Sequence, residues 1–149
     1  MTSLPAPTNR PRLVDAAFWC FIAGAVIMIV GGLMASTATF DAARAAFPAS
    51  VPDDRVRSYL TVYRVSGVAS VLVAAALAFL AGKARRGDAR FRSAALGLAF
   101  ALVAVVLVLA IGVGVAQPLI LIALLPILVG AALFVQPSAR RWFVQEAAQ

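Results

Sequence analysis

Arg64, Tyr63, Tyr59 and Asp41 are the side chains from which a reactive or binding site could be assembled in this chain. Arg64 stands at the edge of a long apolar run. A guanidinium in the first turns of a membrane span has two roles open to it. It pairs with an acid or an anionic substrate at the outer mouth, or it lays its stem in lipid and reaches the headgroups. Asp41, Asp53 and Asp54 supply acids on the same side. Tyr59 and Tyr63 are four apart and so share a helix face, which Val56, Gly67 and Ser70 continue. That face reads as a vestibule wall, or as an aromatic belt above a packing seam. Arg57, Thr61 and Arg64 form a second, more polar stripe.

Elsewhere the chain is chemically sparse. It has no histidine, one cysteine (Cys20), and a single glutamate, Glu146, near its end. Zinc sites of the Cys/His type, histidine-held haem and an intramolecular disulfide are therefore excluded. A di-metal carboxylate bundle needs several Glu and His residues. A proton-coupled pump needs a titratable group along its path. Asp53 and Asp54 are adjacent, so on a helix they point in different directions, and no further acid follows at useful spacing. No GxSxG, Walker-type loop or HExxH is present. The reading is a non-enzyme with no catalytic residue, cofactor or metal.

The elements that must position these residues follow from composition. Of 149 residues 63% are hydrophobic and 13% charged, far from the near-half and one-quarter of soluble domains. So short a chain has too little interior to hide that surface, and lipid is its natural solvent. Uncharged stretches cover 16–40, 65–82 and 93–139. A span needs ~20 apolar residues, so the third stretch holds two spans, broken near Gly112, Gly114, Gln117 and Pro118. The chain reads as one all-α domain, 1–149. Its four transmembrane helices, at about 16–37, 54–82, 91–115 and 118–136, form an antiparallel bundle. The runs lack the alternation of barrel strands. Asp53 and Asp54 after Pro52 mark a helix start outside the membrane. The 25 uncharged residues of 16–40 exceed a signal-peptide core of ~7–15, so the first span is read as uncleaved.

Charge sets the orientation. Lys83, Arg85, Arg86, Arg90 and Arg92, with Arg10, Arg12, Arg140 and Arg141, put nine basic residues on one side. Arg44, Arg55, Arg57 and Arg64 put four on the other. The nine-basic side should face the cytoplasm. Both termini are then inside, in a multi-pass protein of the cytoplasmic membrane, and the 38–53 loop is outside. The net charge of +7 flanks apolar runs and is read as meeting lipid, not nucleic acid; a second reading of the basic loop is a site for anionic lipid or an acidic partner surface. The tail 1–12, with Pro5, Pro7 and Pro11, is expected to be disordered or extended. The tail 138–149, with Trp142 and Phe143, is expected to lie at the interface. Phe40, Ala43 and Phe47 are at helical spacing and fit a surface helix. Asp15 fits the dipole at the start of the first span.

Small residues four apart allow close helix approach. Gly31/Ala35, Gly32/Ser36, Ser66/Ser70, Ala78/Gly82, Gly97/Ala101 and Ala110/Gly114 meet that spacing, with Gly67 beside the Ser66 pair. They serve packing inside the bundle, or a dimer, or docking to a larger complex. Pro126 lies midway along the fourth span and should kink it.

Two segments carry a resemblance: Val14-Asp15-Ala16-Ala17-Phe18-Trp19, opening the first span, and the connection Gly82-Lys83-Ala84-Arg85-Arg86-Gly87-Asp88. In these the chain resembles small four-helix membrane proteins of high-GC actinobacteria, a group that brings no activity with it. Its arginine and alanine bias agrees with such a source. Small multidrug-resistance transporters differ, since they carry a membrane-embedded glutamate in their first span. The expectation is a non-catalytic accessory or interaction subunit. Its partners are the lipid bilayer and other membrane subunits or a second copy. The alternative is a small channel or carrier with its site around Arg64.

Overall fold

The computed structural model describes residues 11–113, 117–139 and 141. Every regular element among them is helical: α1 Arg12–Ser36, α2 Phe40–Ala46, α3 Asp53–Ala84, α4 Ala89–Val108 and α5 Pro118–Val135, with a π-helical segment Leu109–Val113 extending α4. Helices α1, α3, α4 with its extension, and α5 are each long and apolar enough to cross a membrane. This is an all-helical, four-span membrane protein. At 1.5 Å per residue α1 is ~37 Å long, α3 ~48 Å and α5 ~27 Å, against a hydrocarbon thickness of ~30 Å. Helix α3 therefore projects well beyond the apolar slab, whereas α5 only just fits it, with Gln117 and Gln136 at its two ends.

The helix bounds follow backbone geometry rather than the edge of the uncharged runs. Helix α1 starts at Arg12, four residues before the uncharged stretch, because the chain is extended at Pro11 (φ −61°, ψ 134°) and the Pro11 carbonyl already accepts from Val14 N at 2.9 Å. Arg12 is thus helical and not part of a tail. The rest of the expected N-terminal tail, 1–10, lies outside the described residues. So does most of the C-terminal tail, Trp142 and Phe143 included. Its beginning, 137–139, makes a helical turn that buries Ala139 against the core. The third span, expected to run to 115, keeps α-helical geometry only to Val108. Helix α5 runs unbroken through Pro126.

Consecutive spans are antiparallel, and α1 lies between α3 and α5. On α1, Val14, Ala17, Phe21, Gly24, Met28, Gly31 and Ala35 are all buried. Their alternating three- and four-residue spacing is the seam of left-handed bundles. Glycine makes that seam close. A Cβ on Gly24 would run into Ile127 Cγ1, one on Gly31 would lie 2.8 Å from Leu119 Cβ, and one on Gly130 3.1 Å from the Ala17 carbonyl. On its other flank α1 meets α3 backbone to backbone, where a Cβ on Gly32 would come within 2.5 Å of the Gly67 carbonyl. Phe21 and Phe134 pack at 5.3 Å between ring centres in the interior.

The outside is the reverse of a soluble protein. Trp19, Met34, Leu72, Phe79, Phe100 and Ile111 are large, apolar and exposed. Soluble monomers rarely present such continuous apolar surface, and lipid contact accounts for it. Helix α4 is the least embraced span, burying only Ala95, Ala99 and Leu102.

Candidate functional site

Of the four residues from which a site could be assembled, the two tyrosines meet, next to α2. Thr39 caps this helix, its Oγ1 accepting from Ala42 N at 3.3 Å. Three contacts fasten α2 to the projecting start of α3. Arg44 Nε meets Asp53 Oδ1 at 3.2 Å, the Arg57 guanidinium lies 5.4 Å over the Phe40 ring, and Phe47 packs edge-on to Tyr59 at 5.1 Å. Tyr59 in turn stacks on Tyr63 at 5.9 Å with the planes only 17° apart. The expected surface helix is present, held as a cap on α3.

Arg64 reaches back to the end of α1. Its Nε donates to the Ala38 carbonyl at 2.8 Å, and Nη2 donates to the same oxygen. Ala38 lies just past the end of α1, where carbonyls lack intrahelical donors and a positive charge is favoured. Arg64 therefore clasps the end of α1 to α3. Among the described residues no ion pair joins it to Asp41, which is exposed in the first turn of α2. The neighbouring hydroxyls are also turned to backbone: Ser36 Oγ and Thr37 Oγ1 donate to the Leu33 carbonyl at 2.8 and 3.0 Å.

One turn further into the bundle lies a cleft of ≈100 Å³ between α3, α4 and α5. Its walls are mainly aliphatic, and three polar side chains line it: Ser66, Ser70 and Gln117. Gln117 is only 6% exposed. Its Nε2 donates to Ser66 Oγ at 2.7 Å and to the Tyr63 carbonyl at 3.2 Å. Ser66 Oγ donates to the Tyr63 carbonyl at 2.9 Å, and Ser70 Oγ to the Ser66 carbonyl at 2.7 Å. Gln117 Oε1 is buried and has no hydrogen-bond partner among the described residues. The π-helical segment begins at Leu109 on the wall of this cleft; such segments recur at functional sites. Sequence reading takes Gln117 as a turn marker and Ser66 and Ser70 as packing residues. The sequence signal is an amide beside a Gly/Pro break between two apolar runs.

The basic loop forms the opposite end of the bundle and is tied into it. Arg85 Nε meets Asp15 Oδ1 at 2.7 Å, and its guanidinium lies 4.7 Å over Phe18. Lys83 Nζ sits 5.8 Å from the Phe79 ring centre and 5.9 Å from that of Phe91. Arg92 Nε donates to the Phe134 carbonyl at 3.0 Å, joining α4 to the end of α5. Gly87 permits the reversal with φ 96°, and Asp88 caps α4 by accepting from Arg90 N at 3.0 Å. Arg86 and Arg90 remain exposed. These contacts tie together the ends of α1, α3, α4 and α5.

The small-residue pairs divide into used and unused. Gly31, Ala35, Gly67 and Ser70 are buried, and Ser66 is half-buried in the cleft network. Gly82 and Gly97 have nothing within 4 Å of where a Cβ would stand. No group of three metal-ligating side chains occurs among the described residues. No protein-family model matches the chain, and no curated protein or solved structure matches it.

Proposed function

We propose that the protein is a non-catalytic, membrane-embedded interaction subunit that offers the outer face of α4 to a transmembrane helix of a partner. The observation that carries this reading is the state of that face. Ser93, Gly97, Ala101 and Ala104 are exposed in helical register, and around Gly97 there is open space. On α1 the same kind of sequence is consumed internally, where a Cβ on Gly31 or Gly32 would lie only 2.5–2.8 Å from the neighbouring helix. A smooth strip on the least buried span suits close approach by another helix.

The orientation belongs to the same proposal. Nine basic residues on the α3–α4 connection and the two tails, against four at the α2 end, favour a cytoplasmic basic end with both termini inside the cytoplasmic membrane. A carrier centred on Arg64 has less support, because the guanidinium is occupied by the Ala38 carbonyl and Arg64 does not line the cleft.

Affinity purification from native membranes in mild detergent tests the reading. The expected result is a stoichiometric membrane partner that is lost in Gly97→Leu while the variant keeps its thermal stability. A solitary monomer, or a partner retained unchanged by Gly97→Leu, overturns it.

A further inference from the structure

The cleft between α3, α4 and α5 is lined by Gln117, whose buried amide oxygen has no donor among the described residues. Both hydrogens of Gln117 Nε2 are spoken for by Ser66 Oγ and the Tyr63 carbonyl. The hydroxyls of Ser66 and Ser70 are each committed to a backbone carbonyl. No hydroxyl lining the cleft is therefore left to turn towards Gln117 Oε1. Exchanging the amide oxygen and nitrogen does not help, since it would set Oε1 against the Tyr63 carbonyl oxygen, acceptor against acceptor. A buried amide oxygen left in this state is costly. A donor brought from outside the chain relieves it.

The shape of the cleft defines the donor's carrier. Its polar end, Ser66 and Gln117, lies at the N-terminal end of the short span α5, which is about as long as a hydrocarbon slab is thick and so puts this end near the slab's edge. From Ser66 to Val73 the wall runs ~10 Å inwards along α3, and it becomes aliphatic, with Val73 facing Leu102 and Val106 of α4. The rim residues Ala69 and Val105 are exposed, so the cleft opens on the flank of the bundle. Oε1 has almost no accessible surface of its own, so a donor reaches it by easing the Gln117 side chain towards the cleft; a water that did so needs 2–4 polar partners and would leave the aliphatic length unfilled. We propose that this cleft binds a single lipid-like amphiphile with a hydroxyl head. The hydroxyl donates to Gln117 Oε1 and the hydrocarbon chain lies inwards past Ser70 towards Leu102. The polarity gradient matches the attitude of any lipid in the adjoining leaflet. The site is separate from the outer face of α4 and stands whether or not a partner docks there.

The test uses full-length protein in nanodiscs of dimyristoylphosphatidylcholine, a lipid with no hydroxyl. 1-Decanol is titrated against 1-methoxynonane, which has similar length but no donor, while the glutamine side-chain amide resonances are followed by NMR. One resonance, assigned by its loss in Gln117→Leu, should shift saturably with decanol, and the ether should bind roughly threefold to tenfold more weakly. Gln117→Leu, followed through the methyl resonances of Val73 and Leu102, should abolish that preference. Ala69→Phe, at the exposed rim, should block both ligands without unfolding the protein. Equal affinity for decanol and ether overturns the proposal. So does a shift that persists in Ala69→Phe, or a bound water that decanol does not displace.

Discussion

Replacing Gly32 by alanine tests the packing of α1 most directly. The added methyl would stand 2.5 Å from the Gly67 carbonyl oxygen, 2.9 Å from Val71 Cγ2 and 3.3 Å from Ser70 Cβ. The valine methyl could move by a rotamer change; the carbonyl belongs to the backbone of α3 and cannot. Restoring an ordinary contact of roughly 3.3 Å or more forces the two helices apart by nearly 1 Å, in an interior packed to crystal-like density. Overpacking of this kind costs about 1–3 kcal/mol, whereas glycine to alanine in a helix gains up to about 1 kcal/mol. With mid-range values the balance is a loss of about 1 kcal/mol. Gly97→Ala has no such contact and should be neutral or slightly stabilising. Gly67→Ala meets the Gly32 carbonyl at 2.6 Å and Ala35 Cβ at 2.8 Å. Once Gly32→Ala has parted the helices, adding Gly67→Ala should cost less than it does alone. Unfolding by SDS titration, followed by far-ultraviolet circular dichroism, measures the four variants against the wild type. Wild-type stability in Gly32→Ala, or an equal loss in Gly97→Ala, would refute the reasoning.

Other perturbations probe the two ends. Arg64→Gln removes the paired donation to Ala38 and should cost about 1 kcal/mol, with faster amide hydrogen exchange at 37–43; unchanged exchange there would show that the clasp is idle. Asp15→Asn and Arg85→Gln should show a coupling of about 0.5–1 kcal/mol in a double-mutant cycle, since both side chains are over a third exposed and solvent screens them. The coupling should shrink in high salt, and purely additive losses would contradict it. In a Cys20→Ser background, Ala49→Cys should react with an impermeant maleimide on intact cells, and Asp88→Cys only after permeabilisation. The reverse pattern would invert the proposed orientation.

The spans are legible in the sequence because absence of charge over some twenty residues is a local property, and lipid demands it. Partner choice is not local. Gly31 and Gly97 sit in equivalent small-residue patterns, yet one abuts Leu119 and the other faces open space, since only the assembled bundle decides which face is covered. Arg64 stands out in sequence by its charge; its acceptor is a backbone carbonyl 26 residues away, and carbonyls leave no mark on composition. Gln117 is hidden for a related reason. An uncharged amide beside glycine and proline looks like a turn, and its meaning depends on Ser66, 51 residues earlier, being brought to 2.7 Å.

The notched seam of α1 has a consequence for how the chain is made. Ala17 meets Gly130 across the bundle, so roughly a hundred residues must be translated before this first span finds its last neighbour. At ~5–20 residues per second the wait is on the order of 5–20 s. Throughout that interval its glycine notches stand open beside the translocon, accessible to an insertion factor or to another nascent chain. Slowed elongation after α3 should therefore lower the yield of correctly assembled protein more than slowed elongation before α1.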